Sequence, residues 1–210
     1  MDIFLLILEL IGTIAFSISG AMTAMKKNMD IFGVMILGLT TAVGGGIIRD
    51  LILGVTPPAI FRDPLYALTA LATAALVFLP WVRRLFQRYQ RIYDLLMLTM
   101  DSIGLGIFTV IGVQSAFAQS SSYSMFLLTF VGVITGVGGG VLRDMMAGNT
   151  PYIFVKHIYA CASLAGALLC AGLWGHIPAI WAMNLGAGIV ILIRALSAHF
   201  RWSLPRAKLD

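Results

Sequence analysis

Charged residues are scarce in this chain: Asp, Glu, Lys and Arg together make up 11% of its 210 residues, whereas 60% are hydrophobic. A soluble globular domain carries about 25% charged residues. The scarcity of charge and the mean hydropathy of +0.95 exclude an ordinary soluble fold and predict a polytopic membrane protein. The net charge of +5 does not indicate nucleic-acid binding, because the basic residues lie between apolar runs, where they mark membrane topology.

Residues suited to metal binding and covalent catalysis are also few. The two cysteines, Cys161 and Cys170, are nine residues apart in one predicted helix, which places them on opposite faces. The three histidines, His157, His176 and His199, are scattered among different segments. The sequence contains no phosphate loop, nucleophile elbow or metal-ligand spacing. It therefore predicts no enzymatic activity, no metal site and no cofactor.

What the sequence has instead is long apolar runs, each close to the length of about 20 residues that crosses a bilayer. There are seven of them: residues 3–25, 31–54, 64–82, 93–118, 124–148, 153–174 and 178–200. The first run lacks a basic region before it, so we expect it to stay as a membrane helix and not to be cleaved as a signal peptide. The predicted fold is an all-α membrane protein with seven transmembrane helices.

The basic residues predict the orientation of these helices. Loops after the first, third and fifth runs and the tail after the seventh hold ten of them: Lys26, Lys27, Arg83, Arg84, Arg88, Arg91, Lys156, Arg201, Arg206 and Lys208. The loops on the opposite side hold only Arg62. By the positive-inside rule, the amino terminus is outside and the carboxyl terminus is cytoplasmic.

One motif occurs twice, near the middle of the second and fifth runs. Its copies are Gly44-Gly45-Gly46 followed by Arg49-Asp50, and Gly138-Gly139-Gly140 followed by Arg143-Asp144. Each glycine costs a helix about 1 kcal/mol relative to alanine, so the pattern predicts a point where the helix bends or unwinds. Ionisable residues inside a membrane span indicate a functional site. The alternative is a close helix crossing in which Arg pairs with Asp.

The similarity extends well beyond the glycines, at an offset of 92 to 94 residues. Because each unit has three spans, the second copy must insert upside down, which gives an inverted repeat with the two motif helices as symmetry mates. The predicted division has four parts: a first repeat at 1–82, a basic cytoplasmic linker at 83–92, a second repeat at 93–174, and a seventh helix with its tail at 175–210.

Several polar residues near the motifs are further candidates. Thr41 and Thr135 lie one turn before the glycines, where their hydroxyls either face a pathway or bond back to the helix. Glu9 and Asp101 occupy equivalent positions in the two repeats, and we expect both to be buried against an arginine. Arg194 lies in the seventh helix, where we expect it to snorkel to the cytoplasmic interface.

The basic linker has two interpretations. Its four arginines, interleaved with aromatic residues, suit the head groups of anionic lipids. Ordinary topology marking is the simpler explanation. The arginines are Arg83, Arg84, Arg88 and Arg91.

The doubled glycine motif with its Arg-Asp pairs, together with the seven-span inverted plan, resembles the trimeric intracellular cation (TRIC) channels, in particular their bacterial relatives. The resemblance covers nearly the whole chain. It implies a homotrimer in the bacterial inner membrane, with an hourglass pore in each protomer that passes potassium and some sodium. It also implies that Arg49 and Arg143 face the pore. Some bacterial relatives carry the label of glycine transporter.

Two functions follow as hypotheses. In the first, the chain is a potassium-permeable channel whose constriction is lined by Thr41, Thr135 and carbonyl groups of the glycine breaks. In the second, it is a carrier for glycine or a similar zwitterion, with Arg binding the carboxylate and an acid binding the ammonium group. A membrane scaffold, in which the glycines only pack helices, is a third and weaker possibility.

Overall fold

The computed structural model describes residues 3–155 and 158–202 and folds them almost entirely into helices. There are ten helices in this part of the chain: α1 (Ile3–Lys26), α2 (Ile31–Ile52), α3 (Ala59–Arg62), α4 (Leu65–Val77), α5 (Pro80–Arg88), α6 (Gln90–Gln119), α7 (Met125–Met146), α8 (Tyr152–Val155), α9 (Tyr159–Leu173) and α10 (Ala179–His199). Lys156, His157, Arg206 and Lys208 lie outside the described residues.

Each of the seven apolar runs contains one main helix, so the predicted all-helical membrane fold is confirmed. Five of these helices, α1, α2, α6, α7 and α10, are long and apolar enough to cross a membrane alone. The other two are shorter: α4 is continued by α5 after a bend of 66°, and α9 has 15 residues. Most of the basic linker is helical, because α5 ends at Arg88 and α6 begins at Gln90.

The helices pack as two bundles of three, joined side by side. The first bundle is α1, α2 and α4, and the second is α6, α7 and α9. Contacts of α1 with α6 and of α2 with α7 join the bundles, and α10 packs on α6 and α9. The seventh helix, α10, therefore packs as a fourth helix against the second bundle.

Equivalent residues make equivalent contacts in the two bundles. The hydroxyl of Ser17 donates to the carbonyl of Ala70 at 2.6 Å, and the matching residues Thr109 and Ser163 share a hydrogen bond of 2.7 Å. Asp30 and Ser124 cap the amino ends of α2 and α7 in the same way, each accepting a hydrogen bond from a backbone N–H three residues later. These repeated details agree with two copies of one three-helix unit.

The expected break at the glycines is absent, because α2 and α7 each run through their glycine triplet as one continuous helix. The physical reason is a reciprocal crossing of the two helices. A Cβ atom on Gly45 would overlap the carbonyl oxygen of Thr135, and a Cβ atom on Gly139 would overlap that of Thr41. The glycines thus allow backbone-to-backbone contact, as in close helix pairs generally. We call this contact the glycine crossing.

The crossing predicts opposite effects for two Gly→Ala substitutions. Gly45→Ala should lower the thermal unfolding midpoint of the purified protein by roughly 3–10 °C, because its new methyl group forces the two backbones apart. Gly188 in α10 is exposed and has no atom within 4 Å of an added Cβ, so Gly188→Ala should leave the midpoint unchanged or raise it slightly. Equal midpoints for the two variants would contradict this account of the glycines.

Candidate functional site

The two threonines of the predicted constriction are buried beside the crossing. The hydroxyl of Thr41 donates to the carbonyl oxygen of Leu37 at 2.6 Å, and that of Thr135 donates to the carbonyl oxygen of Val131 at 2.6 Å. Both hydroxyls are therefore occupied within their own helices, the second of the two arrangements expected for them.

An arginine site lies on either side of the crossing. The first consists of Glu9, Arg49, Asp50 and Tyr66 and faces the amino-terminal face, where α1 begins and α2 ends. Arg49 Nε pairs with Asp50 Oδ1 at 2.8 Å, and Asp50 Oδ2 accepts the backbone N–H of Ala59 at 2.8 Å. Because Ala59 begins α3, this carboxylate joins the end of α2 to the next helix.

Glu9 differs from the expectation. Its carboxylate accepts a hydrogen bond from the Tyr66 hydroxyl, and within the described residues no ion pair joins Glu9 to Arg49. The prediction of burial against an arginine was wrong here because Tyr66, one helix away, takes the carboxylate. The first site is open: a cavity of about 60 Å³ reaches it, and the Arg49 side chain is 12% exposed.

The second arginine site repeats the Arg-Asp geometry on the carboxy-terminal face, where α1 and α7 end. Arg143 Nε pairs with Asp144 Oδ1 at 2.8 Å, and Asp144 Oδ2 accepts the backbone N–H of Tyr152 at 2.9 Å. Arg143 Nη1 also donates to Asp101 Oδ1 at 2.6 Å and to the hydroxyl of Ser19. The expectation for Asp101, burial against an arginine, is confirmed.

A residue of α10 completes the second site. Arg194 Nη2 lies 3.5 Å from Asp101 Oδ2, and the guanidinium stacks on the ring of Tyr159 at 4.9 Å. Arg194 is only 4% exposed, so the expectation that it snorkels to the interface was wrong. The buried carboxylate of Asp101 holds it in the protein. Among the described residues, the hydroxyl of Tyr159 and Nη2 of Arg143 are buried without a hydrogen-bond partner.

Charge balance explains how such a cluster remains buried. The second site holds two guanidinium groups, on Arg143 and Arg194, and two carboxylates, on Asp101 and Asp144. All four side chains are at most 5% exposed. An unpaired buried charge is strongly destabilising, whereas a balanced and hydrogen-bonded group of charges is tolerated.

A large cavity of about 880 Å³ opens on the carboxy-terminal face. Its lining includes the exposed residues Lys26 and Lys27 and the buried residues Asp101 and Arg194. The Asp101–Arg194 pair therefore forms the floor of the cavity. Arg143 does not line this cavity and is 0% exposed, because the Asp101–Arg194 pair lies between it and the cavity.

The basic residues of the linker lie apart from both sites. They are exposed on α5 and at the start of α6: Arg83, Arg84, Arg88 and Arg91. Trp81, also on α5, is 67% exposed. Among residues 3–155 and 158–202, no group of three metal-ligating side chains is found.

The structure brings most of the predicted site residues together around the crossing. Gly44, Gly45, Gly138 and Gly139 form the contact itself. Gly46 faces Arg49 of its own helix, whereas Gly140 lies against the hydroxyl of Tyr159, with Arg143 farther away. The sequence interpretation missed the roles of Ser19, Tyr66, Tyr159 and Arg194. A signal existed for the tyrosines, because Tyr66-Ala67 and Tyr159-Ala160 occupy matching positions in the two copies. Arg194 has no counterpart in the repeat, so nothing in the pattern indicated its partner.

Comparison with known proteins gives consistent results. A family model described as glycine transporter matches residues 6–81 and 98–175. The UPF0126 inner membrane protein YadS of Escherichia coli K12 is 36% identical over 205 residues, which cover 97% of this chain and 96% of that protein. A UPF0126 membrane protein of Deinococcus radiodurans is 38% identical over 204 residues, which cover 96% and 91% of the two chains.

Two solved structures share the fold. One, from work on conductance through TRIC cation channels, has a TM-score of 0.85 and 36% identity, and covers 97% of both chains. The other is the TRIC trimeric intracellular cation channel orthologue from Rhodobacter sphaeroides, with a TM-score of 0.86 and 33% identity, and covers 95% of this chain and 99% of that one.

The apolar helical bundle with charged sites at its centre defines the class of polytopic integral membrane proteins. Sequence and structure together narrow the class. The chain belongs to the TRIC family, and the UPF0126 membrane proteins are its homologues.

The second site predicts that Asp101 is essential for stability. Asp101→Asn should destabilise the protein by about 3–5 kcal/mol, because Arg143 and Arg194 lose a shared buried counter-charge. Asp94 in the same helix is exposed, so Asp94→Asn should stay within about 0.5 kcal/mol of the unsubstituted protein. Thermal unfolding in detergent measures both, and a neutral Asp101→Asn would disprove the ionic role.

Proposed function

We propose that this chain is a monovalent cation channel, permeable to potassium, with a pore in each protomer that passes through the glycine crossing. One observation carries the proposal: cavities enter from opposite faces toward the crossing. The smaller cavity is lined by the Arg49–Asp50 pair, and the larger ends at the Asp101–Arg194 pair, beyond which the Arg143–Asp144 pair is buried. The cation-channel structures that share this fold support the same function. The pore residues are those predicted: Thr41, Gly44, Gly45, Gly46, Arg49, Asp50, Thr135, Gly138, Gly139, Gly140, Arg143 and Asp144.

The charges of the first site suit a cation. Glu9 and Asp50 supply two carboxylates against the single guanidinium of Arg49, so the cavity carries an excess of negative charge. A cavity lined by one sign of charge concentrates ions of the opposite sign. The Arg49–Asp50 ion pair of 2.8 Å removes the repulsion that a bare arginine exerts on potassium.

The crossing is the narrowest point of the proposed pore and is closed in this structure. Gly138 lies so close to α2 that an added Cβ would be 3.2 Å from the Cα of Gly45. The side chains of Leu142 and Ile48 pack against Gly44 and Gly138, so opening requires α2 and α7 to separate and these two side chains to move aside. In the proposed open pore, the carbonyl oxygens of Thr41 and Thr135 replace part of a cation's hydration shell, as backbone carbonyls do in the selectivity filters of potassium channels.

The remaining features of the proposal concern assembly and placement. We propose a homotrimer, as the Rhodobacter orthologue is described as trimeric. We propose that the chain lies in the bacterial inner membrane with its carboxy-terminal face toward the cytoplasm, because that face carries Lys26, Lys27 and the arginines of α5. The two stretches matched by the family model support the division into repeats at 1–82 and 93–174.

We also propose that α5 lies in the head-group layer of the membrane. The bend of 66° after α4 turns it away from that helix, and Trp81 is exposed beside Arg84 and Arg88. Tryptophan and arginine together favour the interface of a membrane that contains anionic lipids.

A second candidate function is a carrier for glycine or a similar zwitterion, favoured by the description of the matching family model. The first site offers a guanidinium on Arg49 and a carboxylate on Glu9, which suit the two ends of such a molecule. A carrier shows saturable uptake and counterflow, whereas a channel shows unitary current steps. Recording and radiolabelled glycine uptake on the same purified protein separate the two.

Planar-bilayer recording under a potassium gradient tests the channel directly. The unsubstituted protein should give unitary currents that reverse near the potassium equilibrium potential. Arg49→Ala should raise the potassium conductance by roughly threefold at low salt, because Glu9 and Asp50 then act unopposed, and the gain should shrink as salt screens the charges. Arg143→Ala should also change the currents.

The matched control is Arg62→Ala, which removes an exposed arginine from the same face as Arg49. Its currents should equal those of the unsubstituted protein. Unaltered currents in both Arg49→Ala and Arg143→Ala would remove the two arginines from the pathway.

A further inference from the structure

We infer that a separate cavity on the carboxy-terminal face is a regulatory site for a small soluble anion, a molecule with an aromatic body and a single carboxylate. The cavity has a volume of about 460 Å³ and is lined by residues from the end of α1, the turn after it, the bend after α4, α5 and the start of α6. We call it the linker cavity. Its binding of an anion is independent of the proposed channel, and only its effect on the current rests on that proposed function.

The less exposed part of the linker cavity is apolar and largely aromatic. Tyr93 is buried, and Phe78 and Phe86 are partly buried. The rings of Phe86 and Tyr93 pack edge to face with their centroids 5.8 Å apart, and Met25 and Met29 complete the apolar lining. A mostly apolar pocket of this volume suits a small organic molecule, and aromatic walls favour a planar ring.

Two cations line the exposed part of the same cavity. Lys26 Nζ lies 5.3 Å from the ring centroid of Tyr93, and Arg83 Cζ lies 5.2 Å from that of Phe78. Within the described residues, neither cation forms an ion pair with a carboxylate. Both positive charges therefore remain available to an anion that enters the cavity.

The charge of the lining selects a monoanion. Asp30 also lines the cavity, where its carboxylate caps the start of α2. Two cations, Lys26 and Arg83, against this one carboxylate leave a net charge of about +1. One carboxylate on the ligand restores the balance, whereas a cation or a neutral molecule does not.

The two faces of α5 separate this site from the membrane surface. Arg83 and Phe86 are three residues apart, share one face of the helix and line the cavity. Trp81, Arg84 and Arg88 lie on the opposite face, and none of them lines it. The arginines proposed to meet lipid head groups are thus different from the arginine of the linker cavity.

The linker cavity shares part of its lining with the larger cavity of the proposed pathway. Lys26 and Tyr93 line both. An anion beside Lys26 neutralises a positive charge that also faces the larger cavity, and a cavity with less positive charge concentrates more potassium. Occupation of the linker cavity should therefore raise the potassium conductance.

Equilibrium dialysis tests the site without relying on ion flow. The probe is radiolabelled 1-naphthylacetate, and the protein is held in phosphatidylcholine nanodiscs, with empty nanodiscs as the blank. The neutral 1-naphthylacetamide, which has the same ring, should bind about tenfold more weakly. Arg83→Gln should weaken binding of the carboxylate about tenfold, because it removes a hydrogen bond to a charged group.

The matched control is Arg84→Gln, which removes an exposed arginine of the same helix that does not line the cavity. Its affinity for 1-naphthylacetate should equal that of the unsubstituted protein. Equal binding of acid and amide, or equal affinities in Arg83→Gln and Arg84→Gln, would overturn the inference. A lipid occupant gives a third result: phosphatidylglycerol enriched around the protein in an Arg83-dependent way, without retention of 1-naphthylacetate, overturns the inference and assigns the cavity to a lipid.

Planar-bilayer recording tests the coupling to the pathway. At low salt, 1-naphthylacetate added to the carboxy-terminal face should raise the potassium conductance roughly twofold. Lys26→Gln should reproduce that increase without the probe, and the probe should then add nothing. Binding with unchanged currents overturns the coupling through Lys26. Arg83-dependent binding by a protein that carries no potassium supports the site and overturns the channel.

Discussion

The contact between α2 and α7 is the constraint on which the rest of the structure depends. Two helices whose backbones touch must lack side chains at the point of contact, and Gly45 and Gly139 meet that requirement reciprocally. The contact joins the two three-helix bundles at their centre and sets the arginine sites on opposite sides of it. The cost of about 1 kcal/mol for each glycine is offset by the packing of two backbones and is not used to break the helices.

The two arginine sites beside this contact differ in how their buried charges are balanced. Both pair an arginine with the aspartate that follows it, and both use the second oxygen of that aspartate to receive the backbone N–H of a short helix. The first site remains accessible and keeps a surplus carboxylate. The second is closed over by α10, whose Arg194 brings the charges into balance. A symmetric plan therefore yields one open and one closed end.

Features that depend only on the order of residues along the chain were predicted correctly from the sequence. Apolar runs set the helices, and the repeated motif indicated that Arg49 and Arg143 share a role. Three expectations were wrong because they concern neighbours distant in sequence: the break at the glycines, the partner of Glu9 and the exposure of Arg194. Within one helix the glycines predict a weak point, but between α2 and α7 they allow the two backbones to touch. Glu9 was expected to find an arginine, but Tyr66 is nearer.

The sequence by itself determined the membrane class, the helical fold, the duplication and the family, because hydropathy, periodicity and motif spacing are properties of the chain read in order. Only the tertiary structure decided that α2 and α7 continue through their glycines, that Asp101 is shared by Arg143 and Arg194, and that one arginine site is open and the other closed. These depend on which distant groups come within a few ångströms, and a buried charge takes whichever partner the packing brings to it.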